Sequence, residues 1–285
     1  MPQSLKVIKN RIKSVGNTQK VTSAMQMISV AKLNRVAKVL YAIRPYTLKL
    51  EELLSNLASL GENNGSLLLE KRVPVKKKAL CVITSDNGLC GFYNAGVLRI
   101  TEEFIARNGK DGFTVIAVGK RGYSFLKSRG VAVHNVYLGL NGRYNHEVSD
   151  KISQELINLF LNKDVDEVWC AHTHFETAVM QKPSLERILP IETKNVTRVE
   201  YIVEPDADTL LNELMFESIT MKMRRIIIEG FTAEHASRVI AMKSATDSAR
   251  ELLSNLTLVR NKIRQTAITQ EIMEIISSVE ALKGQ

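Results

Sequence analysis

Residues 5–57 read LKVIKNRIKSVGNTQKVTSAMQMISVAKLNRVAKVLYAIRPYTLKLEELLSNL, and their periodicity decides the fold. Steps of three and four from Leu5 land on Ile8, Ile12, Val15, Gln19, Thr22, Gln26, Ser29, Leu33, Val36, Leu40, Ile43, Thr47, Leu50, Leu54 and Leu57. A mostly apolar seam kept at seven residues over such a distance predicts a helix in a left-handed coiled coil, not a helix covering one globular core. The polar run from Gln19 to Ser29 interrupts it. Beside that run the apolar residues are Val21, Ala24, Met25 and Ile28, which predicts a drift of the seam. Pro45 predicts a kink, or the point where the helix leaves the coil.

The other end of the chain has the same design. No proline follows Pro205, and the only interior glycine is Gly230. A second seam runs Val239, Met242, Thr246, Ala249, Leu253, Leu256, Arg260, Ile263, Ala267. Its small members allow close helix approach. Past Ala267 the register meets Gln270, Glu274 and Ser277, so the coil contact ends while helix-forming residues continue. Heptads at both ends of one chain are satisfied most simply by an antiparallel pair.

Between them the pattern changes. Short apolar runs at 79–83, 113–118, 131–133 and 165–171 read as strands, with helical stretches near 92–107, 120–129 and 146–161 between them. That alternation predicts a mostly parallel, Rossmann-like sheet, with an antiparallel edge near 184–191. The expected organisation is an α/β fold: an N-terminal coiled-coil helix over 1–60, an inserted α/β domain over 75–200, and a C-terminal coiled-coil helix over 206–285.

Composition narrows the function. The 285 residues carry 39 Lys and Arg, 30 Asp and Glu, and three cysteines. An apolar fraction of 45% excludes global disorder. No apolar run approaches the roughly 18 residues of a membrane span. The opening Met1–Lys6 lacks the apolar stretch of a secretory signal. Three cysteines without CxxC spacing argue against a disulfide framework and for a reducing compartment. The net charge of +9 is concentrated at the amino end, where residues 1–50 hold ten Lys and Arg and no acid. Such a segment fits a nucleic-acid-binding arm, or a positive surface facing acidic protein groups or a membrane. Only Tyr41 and Tyr46 accompany it, which is poor provision for base stacking.

Chemistry-bearing motifs are weak. Ser85-Asp86-Asn87-Gly88-Leu89-Cys90-Gly91 lies between a strand and a helix, where phosphate loops sit, but it is not GxGxxG, and GxxxxGK[ST] occurs nowhere. A tight turn explains its glycines as well. Cys90 has no evident base. Cys170, His172 and His174 alternate along a strand and share one face, with no fourth metal ligand in view. The expectation is no catalytic residue, no cofactor and no metal.

Three separated motifs carry a resemblance. Lys9-Asn10-Arg11-Ile12-Lys13-Ser14-Val15, Asn17 to Thr22, Ala24-Met25 and Met27 are similar to the start of gamma subunits of F-type ATP synthases. Thr84 to Asn94 resembles that family's middle motif. Glu234, Arg238, Ala241-Met242, Ala245-Thr246-Asp247, Asn261, Arg264-Gln265, Ile268-Thr269 and Glu271-Ile272 resemble its carboxyl end. Ser248, Val259 and Ser278-Val279 depart from the family pattern, and the cysteine-bearing insertion of the chloroplast relatives is not apparent.

The resemblance implies a rotor shaft, not an enzyme in its own right. It implies alpha and beta subunits as a surrounding ring, epsilon and a c-ring at the foot, and no nucleic acid. It places the protein on the cytoplasmic face of a bacterial plasma membrane, held there by its partners. It implies beta-subunit contacts at Met25, Arg264 and Gln265, a foot contact at Glu204, and an apolar bearing tip at Ile272, Ile275, Ile276, Val279 and Leu282. The competing reading is a coiled-coil scaffold or nucleic-acid-binding protein that uses the basic first helix.

Overall fold

A computed structural model describes residues 5–60, 67–109, 112–192 and 207–283. Two helices, α1 (Leu5–Leu60) and α5 (Ala207–Lys283), bracket everything else. The chain divides into two units, Met1–Ile28 with Val239–Gln285, and Ser29–Arg238.

The first unit is a helical pair. None of the seam positions from Leu5 to Gln26 is exposed, and none from Val239 to Ala267. Ile8, Met242, Ala249 and Leu256 are its most deeply buried apolar side chains. The drift expected around Gln19–Ser29 does not occur. Val21 and Ile28 are each 58% exposed, whereas Gln19, Thr22 and Gln26 stay turned inward. Thr22 explains how a polar residue keeps its place. Its hydroxyl donates to Gln19 O at 3.0 Å and accepts from Thr246 Oγ1 at 2.8 Å, so the polar atoms in the seam satisfy one another. Beyond Ala267 every residue to Val279 is exposed, in line with the polar register there.

The second unit holds a five-stranded sheet, β1 (Lys78–Ile83), β2 (Phe113–Val118), β3 (Val133–Tyr137), β4 (Glu167–Phe175) and β5 (Gln181–Leu189), in the order β3-β2-β1-β4-β5. The first four strands are parallel, and β5 pairs antiparallel with β4, Ala171 opposite Leu185. The helices between them are α2 (Tyr93–Asn108), α3 (Lys120–Ser128) and α4 (His146–Leu161). One sheet face packs on α2 and α3 through Leu80, Val82, Val97, Phe104 and Leu126. The other packs on α4, α1 and α5 through Cys81, Ile83, Ile152, Phe160, Leu40, Ile227 and Phe231. Strands covered on both faces read as continuous apolar runs, and β1 and β2 do.

Within this unit α1 and α5 also run antiparallel. Arg44 pairs with Glu229 at 3.2 Å, while Glu51, farther along α1, acts on Arg225, one turn earlier on α5. Residues 226–236 of α5 are buried all round, as a helix enclosed on every side must be. Gly230 permits this: a Cβ there would lie 3.0 Å from Ile83 Cγ2. Pro45 does not end α1, which continues to Leu60. Strand β3 starts two residues later than its apolar run. Gly130 takes φ 71°, and Val131 N donates to Leu126 O, so the cap of α3 claims Val131.

Candidate functional site

The loops at the carboxyl ends of parallel strands are where an open α/β sheet binds ligands. Two such loops meet here: Ser85–Gly91 after β1, and 138–145 after β3. Asp86 accepts from Lys120 N through Oδ1 at 3.0 Å and from Asn141 N through Oδ2 at 2.8 Å. Asn87 Nδ2 donates to Asn141 Oδ1 at 2.8 Å. The crevice where such a fold seats a phosphate faces α5 instead. Arg238 donates to Gly88 O from Nε at 3.3 Å and to Asn87 O from Nη2 at 3.3 Å, and Glu234 Oε1 holds the same Nη2 at 2.7 Å. A phosphate cradle turns N–H groups toward its ligand. This loop turns carbonyls toward a guanidinium, the opposite polarity. Two motifs far apart in sequence, Thr84–Asn94 and Glu234–Arg238, thus prove to be one structural joint.

His235 completes the joint, with Nε2 2.9 Å from Gly142 O and Nδ1 3.2 Å from Arg238 Nη1. A neutral ring protonated on Nε2 satisfies both contacts. Burial holds its pKa down to about 4, with Arg238 and Lys32 acting the same way against the Gly142 carbonyl. Burial raises the Glu234 carboxyl, with Arg238 opposing, and its Oε2 has no hydrogen-bond partner.

Below the joint a charged ladder fastens α5 to its neighbours. Arg224 takes Asp150 of α4 with two bonds of 2.7 Å. Arg225 reaches Glu186 of β5 at 3.0 Å, and Lys222 reaches the same carboxylate at 3.2 Å. Glu229, almost wholly buried, receives Arg44, Arg225 and His174. Arg44 also donates to Phe175 O. These ties were not singled out in the sequence. The available signal was charge at spacings of four, Arg225–Glu229 and Glu234–Arg238, around the apolar Ile226-Ile227-Ile228 and Phe231.

The weaker chemical candidates resolve into structural roles. Cys90 is buried and its sulfur accepts from Asn94 Nδ2 at 3.1 Å. Cys170 sits opposite Cys81 in the sheet, and burial pushes its thiol well up. His172 Nε2 lies 3.4 Å from Glu186, whereas His174 Nδ1 lies 2.8 Å from Glu229, so the two rings serve different carboxylates. Among the described residues no three His, Cys, Asp or Glu side chains form a group that could hold a metal ion.

The expected partner-contact residues occupy separate levels. Met25 is half-buried on α1, and Arg264 and Gln265 are exposed on α5. With Thr22 opposite Thr246, Met25 and Arg264 stand roughly 30 Å apart along the helical pair at 1.5 Å per residue. Ile272, Ile275, Ile276 and Val279 are all exposed. Leu282 lies near the end of α5. Glu204 lies outside the described residues. No helix among the described residues is long and apolar enough to cross a membrane.

Fold and site together define a helical-hairpin protein with an inserted α/β domain whose ligand crevice is filled by its own helix. A family profile described as ATP synthase matches residues 4–282. The ATP synthase gamma chain of Geotalea uraniireducens is 39% identical over 287 residues, and that of Geobacter metallireducens 40% identical over 288, each match covering 99% of both chains. The fold is similar to the rotor of Euglena gracilis mitochondrial ATP synthase, with a TM-score of 0.67 and 14% identity over 93% of this chain and 98% of that one. It is also similar to a chain of the Tetrahymena thermophila mitochondrial central stalk and c-ring, with a TM-score of 0.61 and 24% identity over 79% and 99%. The chain belongs to the ATP synthase gamma-chain family, a non-catalytic subunit of that complex.

Proposed function

We propose that the chain is the central rotor shaft of an F-type ATP synthase, coupling proton flow through a membrane ring to ATP synthesis or hydrolysis at beta subunits. The observation that carries this is the helical pair itself. Both seams are closed over their length, and the residues past Ala267 form a single exposed helix whose Ile272, Ile275, Ile276 and Val279 call for an apolar sleeve. The partners are an alpha–beta ring around the helical pair, with epsilon and a c-ring at the other end. The complex is peripheral on the cytoplasmic face of a bacterial plasma membrane.

The first 50 residues hold no acid, and there α1 carries exposed Val21, Met27 and Ile28 between Lys20 and Lys32, a stretch both apolar and positive that suits acidic partner loops. Met25, Arg264 and Gln265 contact beta subunits. Arg264 does so with a planar fork that can hold a carboxylate by two hydrogen bonds. Glu204 belongs to the foot contact. The mechanism is differential contact: a shaft that is not threefold symmetric favours a different beta-subunit conformation at each orientation, so turning it drives each site through binding, closed and open states.

The test is complementation. Added to a synthase lacking its gamma subunit, the chain should restore ATP-driven proton pumping, and alone it should hydrolyse no ATP. Turnover by the pure chain, or tight sequence-selective DNA binding without affinity for an alpha–beta ring, would overturn the proposal.

A further inference from the structure

A rotor needs more than a shaft: the inserted domain must turn with α5 without slack. The cross-ties to Asp150 and Glu186 end on side chains that are over a quarter exposed and can change rotamer, and Lys222, which also donates to Arg187 O at 2.9 Å, ties only the edge strand β5. Arg238 differs. Its acceptors Asn87 O and Gly88 O are main-chain atoms, and their loop is bonded to the next loop through Asn87–Asn141 and Asp86–Asn141. Arg238 also reaches that second loop through His235 and Gly142 O. One guanidinium thus grips both loops at the carboxyl edge of the sheet. On the α1 side, Lys32 Nζ donates to Asn141 O at 3.3 Å. The gripped loop is strained, since Leu89 holds φ 61° without being glycine. Such a conformation persists only where the surroundings impose it.

We propose that Arg238, oriented by Glu234 and His235, is the positioning residue through which the inserted α/β domain and α5 turn as one. This rests on the rotor reading and adds to it the side chain that removes the slack. The variants Arg238→Ala, Arg238→Lys and His235→Gln are compared in the assembled synthase in vesicles. Arg238→Ala should cut ATP-driven proton pumping about fivefold or more while ATP hydrolysis stays within about twofold. Arg238→Lys should restore much of the pumping, because an ammonium reaches the same carbonyls, and His235→Gln should fall between. In the full-length chain, exchange of the Lys120, Arg121 and Asn141 amides, whose acceptors lie on the gripped loop, should quicken about tenfold in Arg238→Ala with β1 and β4 unchanged. Normal pumping by Arg238→Ala would overturn the proposal. So would a parallel loss of pumping and hydrolysis with faster exchange throughout the sheet, which marks an ordinary structural residue. Failure of the unsubstituted chain to restore pumping would sink the rotor reading instead, and the exchange pattern would still decide whether Arg238 holds the loop.

Discussion

At the scale of single residues the joint at His235 makes stability depend on pH. Burial depresses its folded pKa to about 4, against an unfolded value of about 6.5. A depressed pKa means stability that is whole above the unfolded value and is lost as pH falls toward the folded one. The span is worth roughly 3 kcal/mol between pH 6.5 and 4. Glu234 works the other way: burial raises its carboxyl, so ionising it costs stability near neutrality and acid relieves that cost. Glu186 is held low by His172, Arg225 and Lys222 in spite of its burial, so its contribution is lost only below the usual carboxylate range. His235→Gln should therefore flatten the fall in urea midpoint between pH 6.5 and 4. An unchanged slope would place the proton elsewhere. Glu229 is a second pivot, because its buried carboxylate faces Arg44, Arg225 and His174. Glu229→Leu leaves two guanidinium groups without it and should cost about 3–5 kcal/mol, the range for breaking a buried pair. Equilibrium denaturation measures this, and a loss under about 1 kcal/mol would mean that water takes over the pairing.

At the scale of elements, the coil teaches what a heptad fixes and what it does not. The seam was legible from Leu5 to Leu57 because apolar residues flank the polar run on both sides and hold its register. Local hydrophobicity misled only between Gln19 and Ser29, where Val21 and Ile28 read as candidates for the seam yet face outward. A helix cannot turn aside for four residues and return without breaking its period, so polar groups that can pair with one another remain inside. The Thr22–Thr246 bond makes this testable. Thr246→Val removes a donor and leaves the Thr22 oxygen short of a partner, which should cost about 1 kcal/mol. Thr22→Val with Thr246→Val removes both groups and should recover that loss or exceed it. Thermal unfolding of both variants decides, and a double variant weaker than the single one would show that the bond contributes more than its removal frees. The sheet was legible for a different reason. Buried parallel strands are apolar runs, whereas the start of β3 was obscured by a helix cap that no hydrophobic count contains. The joint at Arg238 was not legible at all. Its partners are carbonyls 150 and more positions away, and main-chain acceptors leave no trace in residue type.

At the scale of the whole molecule, the two ends of the exposed stretch of α5 should differ in what their loss does. In the register that sets Thr22 against Thr246, Leu5, where the described part of α1 begins, faces Ile263, so Arg264 and Gln265 stand directly past the described pair. A force on them passes at once to two helices. From Ile268 to Val279 every residue is exposed, and a single helix resists bending far less. Its exposed Ile272, Met273, Ile275, Ile276 and Val279 suit a sleeve that centres the shaft more than a grip that turns it. Deleting Ser277 to Gln285 should therefore weaken assembly or lower the thermal stability of the complex, because apolar surface is no longer buried, while leaving measurable ATP-driven rotation. Substituting Arg264 and Gln265 together by Ala leaves the tip intact and removes the fork from the stiff part of the shaft, so assembly or coupling should fall further than in the deletion. Ring assembly and proton pumping are compared side by side in the two variants. A deletion that abolishes torque, beside a double substitution that changes nothing, would reverse the assignment: the single helix would be the grip, and the paired helices only its support.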